Sequence, residues 1–123
     1  MISFESFTME DGSPIYMQII RYIKRGIIAG TIRDRDELPS RRVLSSLLGV
    51  NPNTIQKAYR MLEEEEIIES HSGAKSYITA GETQISRIRS QLVESDVKTL
   101  IKAMQQMGVS REDTIRLVEK IWD

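Results

Sequence analysis

Residues 38–64 read LPSRRVLSSLLGVNPNTIQKAYRMLEE, and this stretch decides the fold. It contains two helix starts, because Ser40 and the pair Asn51-Pro52 are residue types that favour the first positions of a helix. Gly49 lies between them, where a tight turn needs a residue without a side chain. The stretch is therefore predicted to form two short helices joined by a tight turn, a helix-turn-helix.

Apolar spacing gives each of these helices a face to bury. The first helix is expected to bury Val43, Leu44, Leu47 and Leu48. The second follows the i, i+3, i+4, i+7 pattern and is expected to bury Ile55, Ala58, Tyr59 and Leu62. Val50 is predicted to fill the angle between the two helices. The outward residues of the second helix are Asn53, Gln56, Lys57 and Arg60.

A longer helix is predicted upstream of this stretch. Ser13 is expected to be its N-cap and Pro14 its first helical residue, and Gly30 ends it. Its buried face recurs every four residues and consists of Ile15, Ile19, Ile23 and Ile27. Residues 1–12 are predicted to be extended or irregular, and residues 31–38 to form a charged loop.

A short hairpin is predicted downstream. A strand begins at Ile67-Ile68, residues 71–74 are expected to turn, and residues 76–79 return as a second strand. A hairpin that directly follows a helix-turn-helix is expected to form a wing beside it.

The remaining residues are predicted to form a helical tail. Residues 82–107 form a long helical stretch, and Ser110 caps a last helix with Asp113 three residues later, a variant of the capping box. The predicted fold class is mostly α with a small β-hairpin wing. It is organised as a winged helix-turn-helix domain over residues 1–80 and a two-helix tail over residues 81–123.

Charge is distributed unevenly along the chain. The net charge is −1 over 123 residues, but residues 21–60 hold nine Lys and Arg against three Asp and Glu. Residues 61–80 reverse this balance, with five acids against one base. A local basic region in an acidic protein is what directional binding to a phosphate backbone requires. Charge alone leaves a solvated basic face without a partner as an equal alternative.

The composition excludes several functional classes. The chain has no cysteine, which rules out disulfides and thiol chemistry and fits a reducing compartment. His71 is the sole histidine and lies in the predicted turn, so no catalytic or metal site is predicted. No apolar run can span a membrane, and the first residues lack the pattern of a signal peptide. We expect a cytoplasmic protein without enzymatic activity, cofactor or membrane partner.

The helix-turn-helix and the wing carry the residues suited to a function. A helix that starts with small polar residues can approach the major groove closely, where Asn and Gln read base edges. Lys57 and Arg60 suit phosphates, and the predicted wing tip offers Ser72, Gly73 and Lys75 to a backbone. Units of this kind also serve as protein-interaction modules, so an interaction module without DNA binding stays open as the alternative.

Several sequence motifs, in their order along the chain, resemble the pattern of the GntR family of bacterial transcription regulators. They are Leu38-Pro39-Ser40-Arg41-Arg42-Val43-Leu44, Leu48-Gly49-Val50-Asn51-Pro52-Asn53-Thr54-Ile55, Ala58-Tyr59 and Leu62-Glu63, preceded by Pro14-Ile15-Tyr16. The resemblance covers residues 14–79 and implies a transcription regulator, with Arg42 at the position of the family's DNA-contacting arginine. The residues assigned to double-stranded DNA are Ser40, Arg41, Arg42, Asn51, Pro52, Asn53, Thr54, Gln56, Lys57, Ser72, Gly73 and Lys75.

Two positions depart from the family pattern. Glu66 occupies a position before the wing where the family usually has glycine, so a different turn is expected there. Lys75 replaces the usual second wing glycine, which changes the expected wing geometry while adding a positive charge.

The tail resembles that of the YtrA-like subfamily, in which a short helical tail forms the dimer. Residues 81–123 are too few for a closed effector domain with its own core, so their apolar faces need a partner surface. The resemblance implies a homodimeric repressor on a palindromic operator, although a tail folded back on its own domain stays open. The residues assigned to dimerisation are Ile88, Leu92, Leu100, Met104, Val118 and Trp122. The sequence also leaves open a small-molecule effector at the dimer interface.

Overall fold

The structure is a computed structural model that describes residues 1–71 and 75–123. Its elements are, in chain order, α1 (Ile15–Ala29), β1 (Glu37–Leu38), α2 (Arg41–Leu48), α3 (Pro52–Glu64), β2 (Ile68–His71), β3 (Lys75–Ile78), α4 (Glu82–Gln106) and α5 (Arg111–Ile121). The chain divides into two units, Met1–Ile88 and Arg89–Asp123, so α4 begins in the first unit and continues in the second. The mostly helical fold with a small antiparallel sheet agrees with the predicted fold class.

Three helices of the first unit share one apolar core, because α1 and α2 both pack on α3. The predicted faces of α1 and α3 are confirmed as buried, with Ile15 alone only half-buried. The residues that were predicted to be buried and are buried in the structure are Ile19, Ile23, Ile27, Ile55, Ala58, Tyr59 and Leu62. Burying an aliphatic side chain of this size contributes roughly 1.5–3 kcal/mol, so this core is the main source of stability in the first unit.

The start of α1 differs from the prediction by one residue. Pro14 has φ −60° and ψ 143°, an extended conformation, so it is the N-cap and Ile15 is the first helical residue. The prediction of Ser13 as N-cap is therefore wrong. The side-chain amide of Gln18 ties down this end by donating to the carbonyl oxygens of Ser13 at 2.9 Å and Glu10 at 2.8 Å.

Helix α2 begins as predicted but buries a different face. Ser40 caps it by accepting a hydrogen bond from the Val43 amide at 3.1 Å, which confirms the predicted start. The buried residues of α2 are Leu44 and Ser45, whereas Val43 and Leu47 are 54% and 65% exposed. The predicted apolar stripe is wrong at these two positions. Because Ser45 turns inward and each residue rotates by about 100°, Val43 and Leu47 come to lie on the outer side.

The sheet has three strands, one more than predicted. β1 lies in the predicted charged loop and pairs with β3, which also pairs with β2; both pairings are antiparallel. Leu38 lies opposite Ser76, and Ile68 lies opposite Ile78, so this face of the sheet joins the core. A strand of two residues is too short to show an alternating pattern, which is why the sequence indicated only a loop there.

The first residues are irregular, as predicted, but they also contribute to the core. Ile2 and Phe4 are buried, and the Ile2 amide donates to the Glu37 carbonyl at 2.8 Å. The Phe4 ring stacks on Tyr22 of α1 at 4.9 Å between centroids. Irregular backbone has no hydrophobic period, so no sequence pattern predicted that these residues would join the core.

The second unit contains most of α4, a turn and α5. Gly108, at φ +73°, follows α4 as predicted. Ser110 caps α5 by accepting from the Asp113 amide at 3.1 Å, which confirms the predicted cap, and the Asp113 carboxylate accepts from Arg116 at 2.9 Å. Within residues 89–123, all of which are described, α5 has no buried residue. Among the described helices, none combines the length and apolar content that crossing a bilayer takes.

Candidate nucleic-acid interface

The turn between α2 and α3 is fixed by a reciprocal pair of hydrogen bonds. The Ser45 hydroxyl donates to the Val50 carbonyl at 2.6 Å, and the Val50 amide donates to the Ser45 carbonyl at 3.1 Å. Gly49 ends α2 with φ +66°, a left-handed conformation that strains other residue types. The two helices therefore hold a defined angle, and Val50 lies half-buried at the corner, consistent with the predicted role.

The first turn of α3 presents small polar side chains to solvent. Asn51 caps the helix, with its side-chain oxygen accepting from the Asn53 amide at 2.8 Å, and Pro52 is the first helical residue. These two predictions are confirmed. Asn53 and Gln56 are exposed, so their amide groups are free to meet another molecule, while Thr54 is half-buried.

A shallow groove runs between this first turn and α2. Its walls bring the two helices of the helix-turn-helix together in one surface, which we call the α2–α3 groove. It is lined by Arg41, Arg42, Ser45, Ser46, Pro52, Asn53 and Gln56. Arg42 is exposed here beside the start of α3, so a cation and two side-chain amides face the same solvent region.

Arg41 lies differently from Arg42, although the two are neighbours in sequence. Its guanidinium donates from Nη2 to Glu63 Oε1 at 2.8 Å and lies 5.3 Å from the centre of the Tyr59 ring. Only 26% of the Arg41 side chain is exposed. Its charge is therefore engaged inside the protein by a carboxylate and an aromatic face.

Tyr59 connects this region to the start of α2. Its hydroxyl donates to the Pro39 carbonyl at 2.7 Å, and the residue is fully buried. Burial raises the pKa of the Tyr59 hydroxyl far above its usual value, because the interior disfavours the phenolate; the nearby Arg41 charge has a smaller, opposing effect. Tyr59 is thus a neutral hydrogen-bond donor that fixes the segment before α2.

Two further bases lie near the α2–α3 groove in sequence or on the wing: Lys57 on α3 and Lys75 on β3. Lys57 on α3 is exposed, with its ammonium 4.1 Å from the centre of the Tyr16 ring on α1. Lys75 is exposed at the start of β3, opposite His71 on β2. Ser72 and Gly73, predicted at the wing tip, lie outside the described residues.

Two members of the acidic run Glu63 to Glu66, at the end of α3, make ion pairs within the fold. Glu65 accepts from Lys24 of α1 at 2.9 Å, and its carbonyl oxygen accepts from the Arg87 guanidinium of α4. The paired bases come from positions distant in sequence, which is why no local pattern revealed them. Glu63 and Glu65 are therefore half-buried carboxylates with cationic partners inside the fold.

Glu66 has a left-handed backbone conformation, which glycine adopts more readily than other residues. Its φ is +62°, in the left-handed region, and its amide donates to the Glu63 carbonyl at 2.9 Å. Glycine would adopt this conformation without strain, so Glu66 adds backbone strain at the turn. An L-residue here costs roughly 1–2 kcal/mol relative to a right-handed conformation.

The residues assigned to dimerisation lie in three kinds of environment. Ile88 is 1% exposed and belongs to the core of the first unit, so its side chain is not available to a second chain. Leu92, Met104 and Val118 are half-buried. Leu100 and Trp122 are 41% and 80% exposed.

The fold and this surface define a class: winged helix-turn-helix proteins whose recognition helix starts with polar side chains. Residues 15–78 match the family model described as bacterial regulatory proteins, gntR family. The chain is 34% identical over 110 residues to the HTH-type transcriptional repressor YtrA of Bacillus subtilis, covering 89% of this chain and 85% of that protein. The chain therefore belongs to the GntR family of DNA-binding transcription regulators, which confirms the resemblance in its sequence.

Solved structures give the same result. A GntR family transcriptional regulator from Listeria monocytogenes superposes with a TM-score of 0.79 at 37% identity, covering 92% of this chain and 99% of that one. YtrA from Sulfolobus acidocaldarius, a GntR-family transcription factor, gives a TM-score of 0.56 at 25% identity, with coverage of 92% and 91%. The coverage includes most of the tail, so the similarity extends beyond the winged domain. These relatives are transcription regulators rather than enzymes.

Proposed function

We propose that this protein is a homodimeric repressor that binds a palindromic operator with the α2–α3 groove and the wing. The observation that carries the proposal is the exposed polar first turn of α3 beside the exposed Arg42. The name of the Bacillus subtilis relative, a transcriptional repressor, supports repression. Because its partner would be the bacterial chromosome, we place its action in the cytoplasm.

The proposed contacts divide by chemistry. Asn53, Thr54 and Gln56 carry donors and acceptors at the start of α3, where a recognition helix meets base edges. Phosphate contacts come from side chains around this helix, which set the position of the protein on the duplex. The proposed phosphate-contacting and backbone-facing residues are Ser40, Arg42, Asn51, Pro52, Lys57 and Lys75.

The proposed dimer rests on the apolar side chains of the tail. Leu100 and Trp122 are exposed, and α5 buries nothing within residues 89–123, so both tail helices offer apolar surface to a partner. A second copy is the simplest partner, because a two-fold interface uses the same patch twice. Such a dimer presents two identical recognition helices, which implies an operator with inverted half-sites.

Selection of bound sequences from a random pool of duplex DNA tests the whole proposal. We expect enrichment of an inverted repeat whose two halves have a fixed spacing. Affinity for the selected duplex should fall steeply with salt, because phosphate contacts release counterions. Enrichment of a single half-site would contradict the dimeric arrangement, and no enrichment would contradict operator binding.

Arg42→Ala tests the surface assigned to the duplex. We expect a loss of about 1–3 kcal/mol in binding to the selected duplex, with a smaller salt dependence. Arg111→Ala, which removes the same charge from the exposed start of α5, is the matched control and should bind as the wild type does. Equal affinities for both variants in an electrophoretic shift would remove Arg42 from the interface.

A further inference from the structure

One carboxylate oxygen joins three elements of the winged domain. Glu63 Oε1, on the last turn of α3, accepts from Arg41 Nη2 at 2.8 Å and from the Ser70 hydroxyl at 2.7 Å. Arg41 is the first residue of α2, and Ser70 lies on β2. We call these three residues the Glu63 network.

The ends of this network lie next to the proposed DNA contacts. Arg41 is adjacent to Arg42 and to the α2 cap, while Ser70 is followed by His71, which faces Lys75 across the hairpin. The Ser70 hydroxyl also lies 3.5 Å from that of Ser76 on β3, so both strands of the wing are tied to it. The network therefore spans the distance between the recognition surface and the wing.

Burial separates this ion pair from an ordinary surface pair. The Arg41 and Glu63 side chains are 26% and 34% exposed. The neighbouring carboxylate, Glu64, pairs with Arg60 at 3.8 Å on the surface of α3, and the side chains of Arg60 and Glu64 are 60% and 68% exposed. A sheltered charge-assisted hydrogen bond is stronger and more directional than an exposed one. The Glu63 network can thus fix an orientation, which the Arg60 pair cannot.

We infer that Glu63 is a positioning residue for DNA binding: it holds the wing at a fixed angle to the recognition helix, and Arg41 serves it as an internal partner rather than as a phosphate ligand. This inference deepens the proposed function and rests on it. Fixing the angle beforehand lowers the entropic cost of engaging groove and wing on one duplex at once.

The direction in which one substitution changes the affinity for DNA tests the inference. Glu63→Ala removes a negative charge, so electrostatics alone would strengthen binding to DNA, and a phosphate-binding Arg41 freed from its partner would strengthen it further. A positioning role predicts the opposite. We expect Glu63→Ala to bind the selected duplex roughly tenfold more weakly than the wild type, about the loss of one specific contact.

Glu64→Ala is the matched control, because it removes the same atoms and charge from the neighbouring exposed position. It should bind within about twofold of the wild type or more tightly, since an exposed charge is screened by salt. If Glu63→Ala binds as well as Glu64→Ala, the positioning role is wrong while operator binding by the wild type stands. If the wild type itself fails to bind, the proposed function has failed, and the inference with it.

Ser70→Ala supplies a second test without a change in charge and keeps the Arg41–Glu63 pair. We expect weaker binding and reduced hydroxyl-radical protection of the DNA where the wing lies, with protection under the recognition helix kept. Combining Ser70→Ala with Lys75→Ala should cost less than the two separate losses added together, because both act through the wing. Additive losses, or unchanged protection by Ser70→Ala, would overturn the inference.

Discussion

The two units of this chain treat their apolar side chains in opposite ways. The first unit closes a core in which Leu62, Ile55 and Ile19 are fully buried. The second unit leaves Leu100, Ile101, Ile115 and Trp122 between 41% and 80% exposed. The two units have similar sequence patterns, because both carry apolar residues at helical spacing. The difference teaches that a stripe predicts an apolar face and does not say whether the same chain covers it.

The largest expected effect comes from the core of the first unit. Leu62→Ala should lower the free energy of unfolding by about 2–5 kcal/mol, because it removes a fully buried side chain and leaves a cavity. Leu100→Ala, the same change at a 41% exposed position in the tail, should cost less than about 1 kcal/mol in dilute protein. Urea titrations followed by circular dichroism measure both. Equal losses would break the contrast between the units.

The tail should respond to substitution through association. Leu100→Glu is expected to raise the dissociation constant of the proposed dimer by at least about tenfold, because a charge would enter an apolar contact. Gln105→Glu adds the same charge to the same helix at an exposed polar position and serves as the control. Sedimentation equilibrium gives both constants. A Leu100→Glu protein that still dimerises like the wild type would move the interface elsewhere.

A smaller effect is expected at the buried hydroxyl of Tyr59. Tyr59→Phe should lower the free energy of unfolding by about 1–2 kcal/mol at neutral pH, since the Pro39 carbonyl loses its donor. The raised pKa of Tyr59 means that the folded state holds this proton more tightly than the unfolded chain does. Its stabilising contribution is complete below the ordinary tyrosine pKa of about 10 and is lost as the pH rises above it.

Alkaline titration separates this contribution from a general one. Wild-type stability should fall more steeply above about pH 10 than that of Tyr59→Phe. Parallel profiles for the wild type and Tyr59→Phe would show that the buried hydroxyl does not account for the alkaline loss.

Local signals were enough for most of the fold and for the exposed polar residues at the start of α3. Periodicity identified the buried faces of α1 and α3, and the residues Ser40, Asn51 and Pro52 marked the helix starts correctly. Each such signal is written within one or two turns of chain. The polar start of the recognition helix could therefore be predicted before any contact was known.

The missed features of the site depend on specific hydrogen bonds and not on a periodic pattern. Arg41 and Arg42 are adjacent residues of the same type. Glu63, 22 residues from Arg41, binds Arg41, whereas Arg42 stays exposed. Val43 and Leu47 were misassigned because Ser45, a polar residue, takes the inward position to bond the turn. In each case a side-chain hydrogen bond decides which residue turns inward, and a hydrophobic period carries no information about such bonds.

The smallest expected effect lies where the sequence departs from its family. Glu66→Gly should raise the free energy of unfolding by about 0.5–1 kcal/mol, because glycine relieves the strain of φ +62° but loses more backbone entropy on folding. Glu64→Gly, at the last residue of α3, should instead destabilise, by less than the roughly 1 kcal/mol that glycine costs in a helix interior. Thermal unfolding of the two variants gives opposite shifts in Tm if the strain at Glu66 is real. A fall in Tm for both would mean that the Glu66 side chain stabilises the fold by more than its backbone conformation costs.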